Sequence, residues 1–421
     1  STPKPSSAAS DVYKRQDKGI FMKKILLIVS GGIAAYRSLD LIREIKRRGD
    51  DVTCVLTKSA TKFVQPLSFA SLSQNKVYTD LFDIENESKI GHIKLSRDAD
   101  LIVLAPATAN ILAKMVHGVS DSLATSILLA NNKPLLIAPS MNVKMWNNPA
   151  TIKNIETLKK DGHIFVGPDD GEMACGEVGS GKMSKVEDIY REISYLINEP
   201  PLKGKKAFVT SGPTIEPIDP VRFISNRSSG KQGHAIASLL SKLGAETHLI
   251  TGPVNIPYPD NIKVTEINTA DEMLEACLSS LPADISIFAA AVSDWKVTNQ
   301  SAKKIKKSEN KNNDMNIILK QNPDVLKTIS ETNKNRPELV VGFTLETENL
   351  IESAKYKMTK KSCDWMIANN HIQNNKSDFD NDMNEVSFLT SDLHENWGLI
   401  SKKSVAEKLC NKIINHFNNV T

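Results

Sequence analysis

The sequence predicts an α/β protein of two doubly wound units with mainly parallel sheets. Three observations predict it. Short apolar runs alternate with amphipathic segments, the pattern of strands whose connecting helices cover a parallel sheet on both faces. The alternation stops at a polar stretch holding two prolines and a glycine near residue 200, then begins again. The 421 residues also exceed what one hydrophobic core usually supports.

Taken in order, residues 1–21 ("STPKPSSAASDVYKRQDKGIF") are polar and aperiodic and lack the apolar stretch of a secretory signal. They read as a disordered leader or cloning remnant, with Met22 a natural start. "KKILLIVS" (23–30) reads as a buried strand, and "GGIAAYRSLDLIREIKRRG" as a glycine turn and an amphipathic helix ending at Gly49. "DVTCVLT" (51–57), "DLIVLAPAT" (100–108) and "KPLLIAPSM" (133–141) are further strands. A helix over 151–162 precedes "HIFVG" (163–167), and a helix near 185–197 closes the first unit, 22–197. Residues 198–205 form the linker and 206–421 the second unit. There "KAFVTSG" (206–212), "ETHLITG" (246–252), "ADISIFAAAVSDW" (283–295), "LVVGFTLET" (339–347) and "DWMIANN" (364–370) are strands or strand–loop junctions. Helices are expected at 230–244 and 348–361. Ligands of such sheets bind beyond the carboxyl ends of the strands. The "SGG", "APATAN" and "APSMN" loops fall there.

Composition narrows the function classes. With 40% apolar and 24% charged residues the chain is an ordinary globular one. A formal charge of +4 gives no reason to expect nucleic acid or a membrane surface as partner. No apolar run approaches the roughly 20 residues that cross a bilayer. The five cysteines are scattered, without a CxxC pair, which argues for a reducing compartment and against a disulfide framework or zinc site. A cytoplasmic location is expected.

Single motifs are ambiguous when read alone. "SGGIAAY" joins strand to helix, where backbone amides hold phosphate, yet tight-turn glycines are common in α/β proteins. "SSGKQG" (228–233) fails the Walker pattern because Gln follows Lys. His92 in "GHIKLSR" has the plain alternative of an exposed or hydrogen-bonded histidine. Asn142 in "PSMN" suits a helix N-cap. The lysines of "KKIKK" (303–307) suit a solvated loop as well as a polyphosphate. "ACGEVGSGKM" (174–183) is different: it places Cys175 among glycines on a polar, mobile loop. A structural thiol belongs instead on a packed strand or helix.

The order "SGGIAAY", "GHIKLSR", "APATAN", "APSMN", "ACGEVGSGKM" resembles the flavin-binding cysteine decarboxylases. The second half, with "TSGPTIEPIDPVRFISNRSSGKQG", "AAAVSDW", "KIKK", "NPDVL" and "GFTLET", resembles phosphopantothenate–cysteine ligase. Together they resemble the bacterial bifunctional phosphopantothenoylcysteine decarboxylase/phosphopantothenate–cysteine ligase family of coenzyme A biosynthesis, over roughly residues 22 to 420. The resemblance implies a flavodoxin-like/Rossmann-like flavoprotein followed by a Rossmann-like nucleotide-binding ligase. It implies FMN as cofactor, CTP as co-substrate with Mg2+, and 4′-phosphopantothenate and cysteine as substrates. It also implies a homo-oligomer. Metal ligands are not assigned.

For the ligase half the resemblance implies activation of the pantothenate carboxylate as an acyl-cytidylate, from which cysteine's amine displaces CMP. Lysines and Mg2+ suit the charge that accumulates on a triphosphate. The matching nucleotide positions are Ala289, Ala290, Asp294, Lys304, Pro323, Asp324, Val325, Leu326, Phe343, Lys357 and Lys361. Asn226 matches a residue that converts the acyl-cytidylate, a task suited to an amide that polarises without ionising. For the decarboxylase half the resemblance implies that FMN would serve as oxidant of the CH2–SH group, giving a thioaldehyde from which loss of CO2 is feasible. His92 then matches the base of the oxidative half-reaction, Asn142 the binder of the substrate carboxylate, and Cys175 the proton donor on a closing flap. Ser30, Gly31, Gly32, Ile33, Ser59, Thr108 and Asn110 match FMN contacts. Two rivals share parts of this pattern. A peptide C-terminal cysteine decarboxylase would need no CTP half, and a non-catalytic flavoprotein subunit would not need His92, Asn142 and Cys175 together.

Overall fold

The structure, a computed structural model, describes residues 22–80, 91–174, 176–305, 316–346, 349–370 and 382–418. These fall into two compact units divided between Glu199 and Pro200.

In the first unit six parallel strands run β1 (Lys24–Val29), β2 (Asp51–Leu56), β3 (Val77–Tyr78), β4 (Leu101–Ala107), β5 (Leu135–Pro139) and β6 (Ile164–Phe165). Their spatial order is 3-2-1-4-5-6, the doubly wound arrangement expected. Period-2 alternation explains how it is covered. Ile25, Leu27 and Val29 of β1, with Leu101 and Val103 of β4, face one apolar cluster that also takes Leu41, Ile42 and Ile45 of the helix Arg37–Arg47. Leu26, Ile28, Ile102 and Leu104 face the opposite cluster, with Ile111, Leu112 and Ile127. A strand buried on both faces reads as an unbroken apolar run, and β1 is that run.

The glycine-rich stretch near Cys175 contains paired strands where sequence reading expected an irregular loop. β7 (Asp169–Glu172) and β8 (Val178–Lys182) form an antiparallel hairpin, with Gly171 opposite Gly179. A ladder of main-chain bonds needs no apolar side chains, and a Ser180–Asp170 hydrogen bond adds to it.

The second unit begins with β9 (Lys206–Ser211), followed by the hairpin β10 (Ile215–Pro217) and β11 (Phe223–Ser225), then β12 (Glu246–Thr251), β13 (Lys263–Glu266) and β14 (Ile285–Phe288). β15 (Trp295–Val297) pairs with β16 (Leu319–Gln321). β17 (Leu339–Glu346), β18 (Trp365–Asn370), β19 (Met383–Leu389) and β20 (His394–Ser401) complete the chain of strands. The large sheet runs β13-β12-β9-β14-β17-β18-β19-β20, with the last two strands antiparallel. Its parallel part repeats the winding of the first unit. The final helix, Lys402–Asn418, buries Val405, Ala406, Leu409, Cys410, Ile413 and Phe417, the spacing of a single helical stripe.

Candidate functional site

In the first unit the chain reverses its direction of winding between β1 and β4, which are neighbours in the sheet. The loops beyond their carboxyl ends therefore diverge and leave a crevice. Ser30 stands at the end of β1, buried, and its hydroxyl donates to the Pro106 carbonyl at 2.7 Å. The Thr108 amide donates back to Ser30 Oγ at 3.1 Å, so the "SGG" and "APAT" loops are sewn together. A Cβ on Gly31 would lie 2.4 Å from Ser59 Cβ, so the β2 loop is pressed against the first. Gly32, at φ 152°, has only the Thr108 methyl at 3.8 Å on that side. Ile33 is exposed at the start of the following helical turn, and Asn110 and Ser59 are exposed as well. The structure thus brings Ser30, Gly31, Gly32, Ser59 and Thr108 to one crevice rim.

Gly31→Ala is expected to wedge these loops apart, costing about 1–3 kcal/mol as an overpacked contact. A lower melting temperature together with loss of flavin colour would register it; an unchanged spectrum and melt would contradict it.

Asn142 caps the short helix Val143–Trp146: its Oδ1 accepts from the Lys144 amide at 2.7 Å. Its other end, Nδ2, donates to Glu177 Oε2 at 2.6 Å. Capping and anion binding are therefore compatible, because they use opposite ends of one amide. Glu177, unassigned by sequence reading, lies just past Cys175 in the hairpin turn. The hairpin is docked at its base, where the Met141 amide donates to Gly181 O and Arg37 Nη1 to Met183 O at 2.6 Å. Cys175 lies outside the described residues. His92 falls in the helix Gly91–Asp98, and its side chain is likewise outside them.

The other cysteines behave as packed structural thiols. Cys54, Cys277, Cys363 and Cys410 are buried. Burial pushes Cys54 up to about 12 and Cys363 up to about 11, and it raises Cys277 and Cys410 too. Alkylation of the folded chain near pH 8 is expected to label Cys175 and spare these four until denaturant is added. The pattern of alkylated peptides checks it.

In the second unit a cavity of about 640 Å3 opens at the same topological position, beyond β9, β14, β17 and β18. Its wall includes Asn226, Ala289, Ala290, Asp294, Pro323, Asp324, Val325, Leu326, Phe343, Lys357 and Lys361. Of the ligase residues named from sequence, Lys304 is the one left off this wall; it stands exposed on the loop after β15. The amides of Ala289 and Ala290 already donate to Thr210 O and Thr210 Oγ1, so this stretch offers a ligand its carbonyls. Lys357 Nζ meets Glu346 Oε1 at 2.6 Å, and Lys361 Nζ lies 3.4 Å from Asp324 Oδ2. These two wall lysines are thus each held by a carboxylate. Asn226 Nδ2 donates to Val292 O at 2.8 Å across the mouth.

Sequence reading missed part of this wall. Arg227, Lys231 and Gln232 come from "NRSSGKQG", and Asn369, Asn370, Asn384, Glu385 and Lys402 from β18 to the final helix. His234 was also unassigned. It is buried, which holds its pKa below the usual imidazole value, and its Nδ1 sits 3.0 Å from Gly230 O at the cavity edge.

Among the described residues no group of three or more His, Cys, Asp or Glu could hold a metal, and no helix is long and apolar enough to cross a membrane.

Comparison with known proteins finds relatives of both units. A flavoprotein family model matches residues 13–198, and the "DNA/pantothenate metabolism flavoprotein C-terminal domain" matches residues 202–417. A "Coenzyme A biosynthesis bifunctional protein CoaBC" of Vibrio vulnificus is 41% identical over 348 residues, 82% of this chain and 86% of that one. The protein of the same name from Haemophilus influenzae is 39% identical over 397 residues, 94% of this chain and 98% of that one. A solved C-terminal domain of a protein so named is 31% identical, covering 52% of this chain and 99% of its own, with a TM-score of 0.44. With its two halves matched in order and a relative above 40% identity across four-fifths of its length, the chain belongs to the family of bifunctional coenzyme A biosynthesis proteins.

Proposed function

We propose that the second unit joins 4′-phosphopantothenate to cysteine at the expense of CTP, and that the first decarboxylates the product to 4′-phosphopantetheine. The observation that carries the ligase reading is the cavity wall. Residues scattered from Asn226 to Lys361 meet around one space of about 640 Å3, large enough for a nucleotide. Asp294 and Phe343 would hold the cytidine part. Lys357 and Lys361 would exchange Glu346 and Asp324 for phosphate oxygens, and Mg2+ would enter largely on the phosphates, as that ion commonly does. Asn226, neutral and a donor, would steady the acyl-cytidylate while cysteine attacks.

For the first unit the crevice rim fits FMN. Gly32 leaves its main chain open to a close-lying group, and the loops meet at the switch point of the sheet. When bound, FMN supplies the electron sink that lets the carboxylate leave. The chain's own side chains would do the rest. Asn142 Nδ2 would hold the departing carboxylate, His92 would take up the substrate proton in the oxidative step, and Cys175 would return a proton to the remaining carbon. Exposed Val221 and Phe223, in the turn and second strand of the β10–β11 hairpin, and exposed Trp295 and Ile318, on β15 and just before β16, support a homo-oligomer.

The test is direct. Purified protein should be yellow, should release pyrophosphate from CTP only when phosphopantothenate is present and CMP only when cysteine is present as well, and should then release CO2. Colourless protein that cannot be reconstituted, or CMP release without cysteine ligation, would overturn the corresponding half.

A further inference from the structure

We propose that Asp219 is a positioning residue of the ligase site, fixing Lys304 and the hairpin that leads to Asn226 in one frame. The inference rests on the ligase reading above. Asp219 lies at the tip of the β10–β11 hairpin, and its side chain is fully shielded from solvent. A shielded carboxylate is costly unless donors surround it, and here they do. Oδ1 accepts from the amides of Val221 and Arg222, both at 2.8 Å, which closes the tip.

Oδ2 points away from the hairpin. It accepts from the Ile305 amide at 3.2 Å and faces Arg222 Nη1 at 3.4 Å. Arg222 Nη2 in turn donates to the Ile305 carbonyl at 3.3 Å. The residue after Lys304 is therefore gripped at both its N–H and its C=O. On the other side the Ser301 amide donates to Ile218 O at 3.0 Å. Lys304, exposed to solvent, is bracketed by two attachments to one hairpin tip.

The far end of that hairpin carries the second ligase residue. Ser225 Oγ donates to Thr214 O at 2.7 Å, and Asn226 follows at the cavity mouth. One shielded charge thus ties together two pieces of chain that the ligase chemistry needs at a common distance. Burial pushes the Asp219 carboxyl up, but the three backbone donors and Arg222 outweigh it and hold it below the usual carboxylate range. It is ionised at neutral pH.

The test uses the full chain and steady-state ligation kinetics, with decarboxylation of supplied 4′-phosphopantothenoylcysteine as the control reaction of the other unit. Asp219→Asn is expected to raise the KM for CTP about tenfold, equivalent to about 1.4 kcal/mol. The KM for cysteine and the control reaction should stay unchanged. In the Asp219→Asn/Lys304→Ala double variant the KM for CTP should match that of Lys304→Ala within about twofold, the mark of two residues acting through one contact. Should Asp219→Asn lower the melting temperature too far for assay, Ile305→Pro removes a single N–H donor to Asp219 and is expected to give the same KM shift. A wild-type KM in Asp219→Asn, or full additivity in the double variant, overturns the inference alone. An unchanged KM in Lys304→Ala overturns the reading of Lys304, and the inference with it.

Discussion

Replacing Cys175 by serine is expected to stop the decarboxylase after CO2 has left and before the product is complete. An oxidised aminoenethiol should accumulate, and formation of 4′-phosphopantetheine should fall by about 10²–10⁴-fold, the usual worth of a positioned proton donor. A serine hydroxyl keeps the size of the thiol but is far too weak an acid to give up its proton on the same timescale. The hairpin makes this a clean experiment. Its strands are held by main-chain pairing, and its turn by the Met173 amide donating to Glu177 O at 2.8 Å. None of these bonds uses the Cys175 side chain, so the fold should not register the change. Quantifying CO2 and the final thiol separately in one reaction decides the matter. Equal yields of both at the wild-type rate would remove Cys175 from the chemistry.

The second large effect is expected at Asn226. Asn226→Asp replaces a neutral donor with a carboxylate at a place where phosphate charge is proposed to gather. Like charges repel there, and the N–H that now donates to Val292 O is lost. Ligation should fall by about 10²–10³-fold, in line with the loss of one donor aimed at developing charge. A first turnover of pyrophosphate should survive, because activation precedes the step assigned to this amide. Rapid quenching shows whether acyl-cytidylate builds up. Parallel losses of pyrophosphate release and ligation would place Asn226 in nucleotide binding instead.

Much of the fold could be read from sequence because parallel strands buried on both faces leave unmistakable apolar runs. "KILLIV" and "LIVLAPA" are examples, and both are buried almost throughout. β19 and β20 escaped notice for the opposite reason. They pair antiparallel toward the sheet's edge, and "HENWGLIS" mixes polar and exposed positions with a single buried Trp397. Missing those strands meant missing the Asn384, Glu385 and Lys402 wall of the cavity.

Site legibility followed a similar rule. Residues clustered in short motifs, such as Pro323 to Leu326, could be placed from the chain alone. Glu177 and Asp219 sat inside quoted motifs as well, but their partners lie far away in sequence, at Asn142 and Ile305. Nothing in local spacing signals such a pairing. The glycine stretch around Cys175 hid its strands for a related reason: low side-chain content reads as irregular loop, while hairpin pairing depends on the main chain.

The contact between Asn142 and Glu177 bears on how a reaction cycle would end. On the proposed reading, the group that Asn142 grips is the very one the enzyme removes. Once it has gone as a neutral gas, the remaining molecule has no anion at that end, and Glu177 is at hand to reclaim the vacancy. The chemistry would thus erase its own tether, so the finished thiol should inhibit weakly at this end however tightly the starting acid was held.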